Sequence, residues 1–362
     1  MPSTCQRSVF MPTTITTHFA SATSMKAVED ASVDLVVTSP PYPMVEMWDA
    51  MFSAQHPAIA DALDRGAGPV AFSLMHDTLR PVWRECVRVL KPGGLLCVNI
   101  GDATRTVDGT FQLYANHARI VTDLTDLGLH ALPGILWRKS TNKPNKFMGS
   151  GMLPPNAYVT LEHEHILIFR KDDKRAVDAK RREDRYASAY FWEERNRWFS
   201  DVWTDLTGVH QDLVNGQAAR DRSAAFPLAL PLRLIHMFSI VGDTVLDPFW
   251  GTGTTSIAAA MLQRNSIGYE MDASFETVFQ ERLQTLDERT RQYNANRIAR
   301  HRRFLQESNT PCKYQNAFYD FGVVTRQERD LVLYDVNAVR CGDTATYEVT
   351  YHRHRTHGIK DV

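Results

Sequence analysis

The chain has almost no net charge: 41 Lys and Arg against 42 Asp and Glu leave a formal −1 over 362 residues. Whole-chain attraction to a polyanion is therefore excluded, and any contact with nucleic acid has to come from a local basic surface. Cysteine is scarce and scattered, with Cys5, Cys86, Cys97, Cys312 and Cys341 forming no CxxC pair. That argues against a disulfide framework or a zinc ribbon. Cys86 and Cys97 fall in apolar helix and strand patterns and read as buried, reduced thiols. No HxxxH spacing suggests zinc, and His163 and His165 alternate along a predicted strand without partners nearby, so no metal site is expected. No apolar run is long enough to span a bilayer, and the first residues lack the apolar core of a secretion signal. A cytoplasmic protein is expected. Phosphate-binding signatures are missing too: there is no GxxxxGK[ST], and Ser256 stands where a GxGxxG would place its third glycine.

What is there is an alternation of buried strands and helices. Asp34–Thr38, Leu95–Ile100, Gly134–Arg138, His165–Arg170, Thr244–Asp247 and Ser266–Glu270 are short, mostly apolar and rich in β-branched residues. Helices are predicted over Leu79–Leu90, stopped by Lys91-Pro92-Gly93-Gly94, and over Tyr114–Leu127, Leu228–Phe238 and Thr254–Gln263. Phe275–Arg303 reads as one long arginine-rich helix, and Leu331–Tyr334 and Thr346–Tyr351 as strands of a tail. Residues 1–32 read as polar, with a short helix at Met25–Glu29. The fold class is α/β, a doubly wound, mostly parallel sheet. Ligands in such sheets collect beyond the carboxyl ends of the strands.

Two strand ends carry unusual turns. The first strand runs into Ser39-Pro40-Pro41-Tyr42. Successive prolines fix φ and remove two donors, leaving the Ser39 and Pro40 carbonyls as acceptors on a stiff turn. The Ser39 hydroxyl is a further acceptor, and the Tyr42 ring offers a stacking surface. An aromatic amino group is a poor nucleophile because its lone pair is delocalised into the ring. Acceptors on its hydrogens draw the nitrogen towards sp³ geometry and free that pair.

The second turn follows Thr244–Asp247 as Pro248-Phe249-Trp250-Gly251-Thr252-Gly253-Thr254-Thr255. Its glycines admit close approach of a ligand. Glu270 and Asp272 follow at the end of the next strand, at the spacing of a ribose-binding acid. A glycine turn with such an acid and no phosphate machinery suits S-adenosylmethionine. A nicotinamide dehydrogenase is the other class, disfavoured by the missing glycine and by an idle Ser-Pro-Pro-Tyr turn.

Thr38-Ser39-Pro40-Pro41-Tyr42 resembles the catalytic motif of N4-cytosine methyltransferases, whose N6-adenine relatives more often carry Asp or Asn at the place of Ser39. Asp247–Thr255 resembles the cofactor motif of that family, and Ala225-Phe226-Pro227 the segment that closes over the cofactor. Val89–Gly94 and Trp137-Arg138-Lys139 also match. With the catalytic block first, the chain is similar to β-class DNA amino-methyltransferases over roughly residues 30–280. Pro311-Cys312 resembles the nucleophile pair of cytosine-C5 enzymes, but no Glu-Asn-Val follows it.

The resemblance implies an S-adenosylmethionine-dependent methyltransferase fold in permuted order over residues 14–280. Target-recognition elements are expected in 140–160 and 171–215, and 281–362 forms a helical and β-like extension with no assigned role. It implies direct methyl transfer to cytosine N4 in duplex DNA after base flipping. Ser39, Pro40, Pro41 and Tyr42 are the implied catalytic residues, with Phe249 or Trp250 as further stacking surfaces. Thr38, Phe226, Pro227, Asp247, Pro248, Phe249, Gly251, Gly253, Thr254, Thr255, Glu270 and Asp272 are the implied cofactor-binding residues. One departure is Ala20-Ser21-Ala22, where the family often has a Gly-Asp pair on the cofactor. Arg138, Lys139, Lys143 and Lys146 are expected on phosphates, Asn142 and Asn145 on base edges, and Phe147 or Met148 as a wedge in the stack. The implied setting is a restriction–modification system in the cytoplasm, on nucleoid DNA, with a cognate restriction endonuclease and a homodimer as protein partners. N6-adenine methylation is the alternative, and a non-catalytic DNA-binding regulator of the same fold the third reading.

Overall fold

The computed structural model describes residues 11–139, 148–206, 226–342 and 345–356. Its centre is a ten-stranded sheet. In chain order the strands are β1 (Thr13–Phe19), β2 (Val33–Thr38), β3 (Leu90–Ile100), β4 (Leu129–Arg138) and β5 (His163–Lys171), then β6 (Val202–Trp203), β7 (Thr244–Asp247), β8 (Asn265–Glu270), β9 (Tyr334–Cys341) and β10 (Thr346–Arg353). They lie in the order β6-β4-β5-β3-β2-β7-β8-β1-β10-β9. β3, β2, β7, β8 and β1 are parallel neighbours; β5 and β10 run against the rest.

The pleat explains why β2 is apolar throughout and buried at every position. Leu35 and Val37 point into one core layer with Val245, Leu230 and Ile257; Val36 points into the other with Leu96, Leu246 and Trp83. The helices supplying these layers are α1 (Gly68–Val89), α2 (Asn116–Asp126), α3 (Ala229–Phe238) and α4 (Thr254–Met261), followed by α5 (Phe275–Leu283) and α6 (Leu286–Glu307). From β2 the chain passes through α1 to β3 on one side; from β7 it passes through α4 to β8 on the other. The order therefore reverses between β2 and β7, and a crevice opens there.

Several expectations need correction. α1 begins at Gly68-Pro69, eleven residues before the predicted start at Leu79, and Pro in the first turn forfeits only an N–H that has no partner there. Lys91-Pro92-Gly93-Gly94 belongs to β3, with Gly93 at φ +76° and a register shift against β2 absorbing the break. Met25–Glu29 is not helical. The chain there is pinned by α1: Glu85 accepts from the Met25 N–H at 2.6 Å, and Arg88 donates to the Met25 and Val28 carbonyls. The predicted Phe275–Arg303 helix is two helices, α5 and α6.

The tail is part of the sheet, because β10 pairs antiparallel with β1 and β9 with β10. The Tyr351 hydroxyl donates to the Ala260 carbonyl at 2.8 Å and lies 2.6 Å from Thr13 Oγ1. At the amino ends of β2 and β7, away from the crevice, Arg175 and Arg181 grip Asp243 at 2.6 and 2.8 Å. No helix among the described residues is long and apolar enough to cross a membrane.

Candidate active site

A cleft of about 710 Å³ lies beyond the carboxyl ends of β1, β2, β7 and β8. Ala20–Thr23 follow β1, Ser39–Pro41 follow β2, Pro248–Thr252 follow β7, and Glu270–Ala273 close β8. The two special turns therefore face one cavity although they are far apart in the chain.

Among the predicted cofactor residues, Phe226, Asp247, Pro248, Phe249, Gly251, Thr254, Glu270 and Asp272 line the cleft, while Thr38, Pro227, Gly253 and Thr255 lie behind it. The role of Thr38 and Thr255 is to hold Asp247. Their hydroxyls donate to its two carboxylate oxygens at 2.7 Å each, and the Phe249 N–H adds a third bond at 3.1 Å. Burial nevertheless pushes the Asp247 carboxyl up to about 6, against the lowering effect of those donors. Glu270 organises the other side: the Gly251 N–H donates to Oε2 at 2.8 Å, and the Met271 and Asp272 N–H groups to Oε1 at 2.8 and 3.0 Å. Two carboxylate oxygens offer about four acceptor positions, so capacity is left for a ligand hydroxyl.

Gly251 has φ +51°, and a Cβ built there meets nothing within 4 Å, so the turn leaves open space on its cleft side. Gly253 differs, because its Cβ would sit 2.4 Å from Phe279 Cδ2. Trp250 is 3% exposed, with its indole N–H donating to Ser256 Oγ at 2.8 Å. It lines the cleft, but most of the ring is packing for the turn, against Phe19 and Phe279. An open glycine cradle, a carboxylate with spare acceptors and the absence of a phosphate-binding cation in the turn fit S-adenosylmethionine.

On the β2 side, Ser39, Pro40 and Pro41 line the cleft and Tyr42 stands just behind. The Tyr42 hydroxyl is bound on three sides. It accepts from Ser39 Oγ at 3.2 Å and Asn99 Nδ2 at 3.0 Å, and donates to Glu164 Oε2 at 3.1 Å. Burial, and then the Glu164 charge, raise its pKa well above the ordinary tyrosine value. Asn116 fixes the chain beyond, donating to the Pro43 and Gly101 carbonyls at 3.1 and 3.0 Å.

Sequence reasoning missed Asn99 and Glu164, which come from β3 and β5, and also Trp48 and Met51, which wall the cleft. A polar Asn in an otherwise apolar strand was the available signal for Asn99. Ala20–Thr23 do line the cleft, with small side chains instead of a carboxylate.

Arg138 and Lys139 stand at the carboxyl end of β4, on the cleft edge of the sheet. Arg138 is exposed and pairs with Glu162 at 3.0 Å. Lys139 pairs with Glu164 and lies over the Trp137 ring. Asn142, Lys143, Asn145, Lys146 and Phe147 lie outside the described residues.

His165 does have neighbours, contrary to expectation. His117, from the start of α2, stacks on it at 4.0 Å, and Asp102 sits 2.7 Å from His117 Nδ1. Among the described residues these three could approach a metal ion. The two rings are within 16° of parallel, so their in-plane lone pairs do not converge on one point. Asp102 instead holds the first turn of α2, accepting from the His117 N–H at 3.1 Å.

A mostly parallel sheet with a cleft at its switch point, lined by the turns after β2 and β7, fits a methyltransferase fold. The model of a DNA methylase family, the N6/N4 type, matches residues 33–281. The chain is 53% identical over 326 residues to the type II methyltransferase M.MthZI of Methanothermobacter thermautotrophicus, covering 90% of this chain and 91% of that one. It is 50% identical over 278 residues to the type II methyltransferase M.MjaI of Methanocaldococcus jannaschii, covering 73% and 89%. Among solved structures, a candidate DNA modification methylase of Thermus thermophilus, in complex with S-adenosyl-L-methionine, superposes with TM-score 0.57. It is 32% identical, with 74% of this chain and 93% of that one covered. The cytosine-N4-specific PvuII DNA methyltransferase shares the fold at TM-score 0.50 and 18% identity, over 74% of this chain and 85% of that one. The chain belongs to the N6/N4 DNA methylase family, acts on DNA, and uses S-adenosyl-L-methionine as methyl donor.

Proposed function

We propose that this DNA methyltransferase modifies the N4 amino group of cytosine within a short sequence, as the modification half of a restriction–modification system. The observation that carries the base assignment is Ser39. A hydroxyl stands beside the Pro40-Pro41 turn in the cleft, at the place where N6-adenine enzymes more often carry Asp or Asn. The setting is supported by two relatives named as type II methyltransferases.

S-adenosyl-L-methionine, when bound, supplies an activated methyl group. The chain's part is to bind, orient and exclude water. Glu270 offers acceptors for ribose hydroxyls, and the Gly251 cradle admits the nucleoside. The Ser39 hydroxyl and the Pro40 carbonyl hold the two amino hydrogens, so the nitrogen lone pair projects along the cleft. The target base leaves the duplex to reach them. Unstacking costs a few kcal/mol, and aromatic stacking in the pocket returns about 1–3 kcal/mol.

Arg138, at the cleft edge, is assigned to DNA contact, and with it the stretch 140–160 and the part of 171–215 beyond Arg181. A cytoplasmic setting, a cognate endonuclease and a homodimer complete the proposal. Mass-spectrometric nucleoside analysis of DNA treated with the protein and S-adenosyl-L-methionine tests it. N4-methylcytosine, lost in Ser39→Ala, is the expected result; N6-methyladenine would overturn the base assignment.

A further inference from the structure

Methylation of an amino group leaves a proton to be removed. The nitrogen gains a methyl group and a positive charge while still holding both hydrogens, and one must leave as a proton to give the neutral product. The cleft-lining carboxylates are engaged elsewhere: Asp247 takes Thr38 and Thr255, Glu270 takes three backbone amides, and Asp272 accepts from the Ser274 N–H at 3.0 Å. Glu164 is different. It is 8% exposed, at the start of β5, and reaches the catalytic turn through a continuous line of hydroxyls.

We propose that Glu164 is the terminal proton acceptor of the methylation reaction, reached from the amino group through Ser39 and Tyr42; the proposal rests on the amino-methyltransferase reading of this site. The direction of each bond fits. Ser39 Oγ donates to the Tyr42 hydroxyl at 3.2 Å, and that hydroxyl donates to Glu164 Oε2 at 3.1 Å. As the amino proton moves to Ser39 Oγ, the Ser39 proton passes to the Tyr42 oxygen, and the Tyr42 proton to Glu164. Both hydroxyls end neutral, and the carboxylate ends as a carboxylic acid.

Two neighbours keep the line in register. Asn99 Nδ2 donates to both the Tyr42 oxygen, at 3.0 Å, and Glu164 Oε2, at 2.7 Å. Gly101 leaves room for the pair, since a Cβ there would lie 3.0 Å from the Tyr42 ring and 3.3 Å from Glu164 Cγ. Lys139 donates to the other Glu164 oxygen, which leaves Oε2 as the atom that takes the proton. Tyr42 is held as a phenol, so it passes a proton on and does not itself act as the base. Removing the proton in this way speeds the chemical step without adding to ground-state binding.

The test compares wild type, Glu164→Gln, Glu164→Asp, Tyr42→Phe and the Glu164→Gln/Tyr42→Phe pair in single-turnover methylation of site-containing duplex. Calorimetric S-adenosyl-L-methionine binding is measured on each variant. Glu164→Gln is expected to lose about 100-fold or more in single-turnover rate, with cofactor affinity unchanged and Glu164→Asp recovering part of the loss. Tyr42→Phe breaks the same line, so the double variant is expected to be no slower than the slower single one. In the protein without ligands, ultraviolet titration should find Tyr42 ionising at lower pH once Glu164 is neutral, with Tyr42→Phe identifying the signal. A Glu164→Gln enzyme at wild-type rate, or losses that multiply in the double variant, overturns the relay and leaves the methyltransferase reading standing. A wild-type product of N6-methyladenine overturns the base assignment and leaves the rate comparison valid, because the line begins at any amino group.

Discussion

Thr38 and Asp247, 209 residues apart in the chain, meet across the switch point of the sheet, where the Thr38 hydroxyl donates to Asp247 Oδ1 at 2.7 Å. This bond ties the strand that ends in the catalytic turn to the strand that ends in the cofactor turn. Thr38 is fully buried and Asp247 is 2% exposed, so neither group has water as an alternative partner. Thr38→Val keeps the shape of the side chain and removes the donor. The cost expected is about 1–3 kcal/mol of stability, the penalty of a buried acceptor left short, together with weaker S-adenosyl-L-methionine binding. Denaturant unfolding and calorimetry check both. An unchanged denaturation midpoint would show that Thr255 and the Phe249 N–H suffice to hold the carboxylate.

The same carboxylate gives the protein a pH dependence. Asp247 titrates near 6 in the folded chain, against an ordinary value of 3.8, because burial penalises its charge. Between those values the folded state binds the extra proton, so the contribution of this group to stability falls as pH rises through the window. Below about pH 4 and above about pH 6 its contribution is flat. The two values correspond to roughly 3 kcal/mol. Subtracting the stability profile of Asp247→Asn from that of wild type isolates the effect. A difference that does not decline between pH 4 and 6 would contradict it.

Gly251 and Gly253 separate cofactor binding from folding. Both have positive φ, +51° and +73°, so Ala costs about 1–2 kcal/mol of backbone strain at either. At Gly253 the new methyl would also lie 2.4 Å from the Phe279 ring and 2.8 Å from Trp250 Cζ2. That overpacking adds about 1–3 kcal/mol. At Gly251 the methyl meets only open cleft. Gly253→Ala is therefore expected to lower the melting temperature more, and Gly251→Ala to lose more cofactor affinity relative to its stability loss. Equal ratios of the two effects in both variants would contradict this division.

How much was legible depended on whether a feature was local. β2 and β7 announce themselves by continuous apolar runs, and both special turns follow directly, so the sheet class and the two halves of the cleft could be read from residues. β1 could not, because Thr13–Phe19 is rich in threonine, and its burial depends on β8 and β10 pairing on either side. Tail strand β10 pairs with β1, so the place of the tail in the sheet was hidden for the same reason. Asn99 reaches Tyr42 because β3 lies beside β2, and Glu164 because β5 lies antiparallel beside β3. Trp250 reads as a stacking surface from its place in a cleft-lining turn, yet most of its ring is buried; Gly268 creates the space that holds it, a Cβ there falling 2.2 Å from the indole.

Arg282 stands one residue beyond the segment matched by the family model, yet it holds the cofactor turn. Its Nη1 donates to the Thr252 carbonyl at 2.6 Å, to Thr252 Oγ1 at 2.9 Å and to Thr254 Oγ1 at 3.0 Å. Burial lowers its pKa to about 10, which still leaves it charged at neutral pH. The turn is otherwise fixed by Glu270 from the β8 side, so Arg282 supplies the second support, from α5. Arg282→Met keeps the apolar stem and removes the donors. The expected result is a roughly tenfold rise in the dissociation constant of S-adenosyl-L-methionine, about 1.4 kcal/mol, with DNA affinity unchanged. Arg282→Lys keeps the charge but lacks the planar fork, and should fall between the two. Calorimetric titration of the three proteins decides the matter. Equal affinities would mean that Glu270 and the glycines alone set the turn, and that Arg282 serves only the packing of α5.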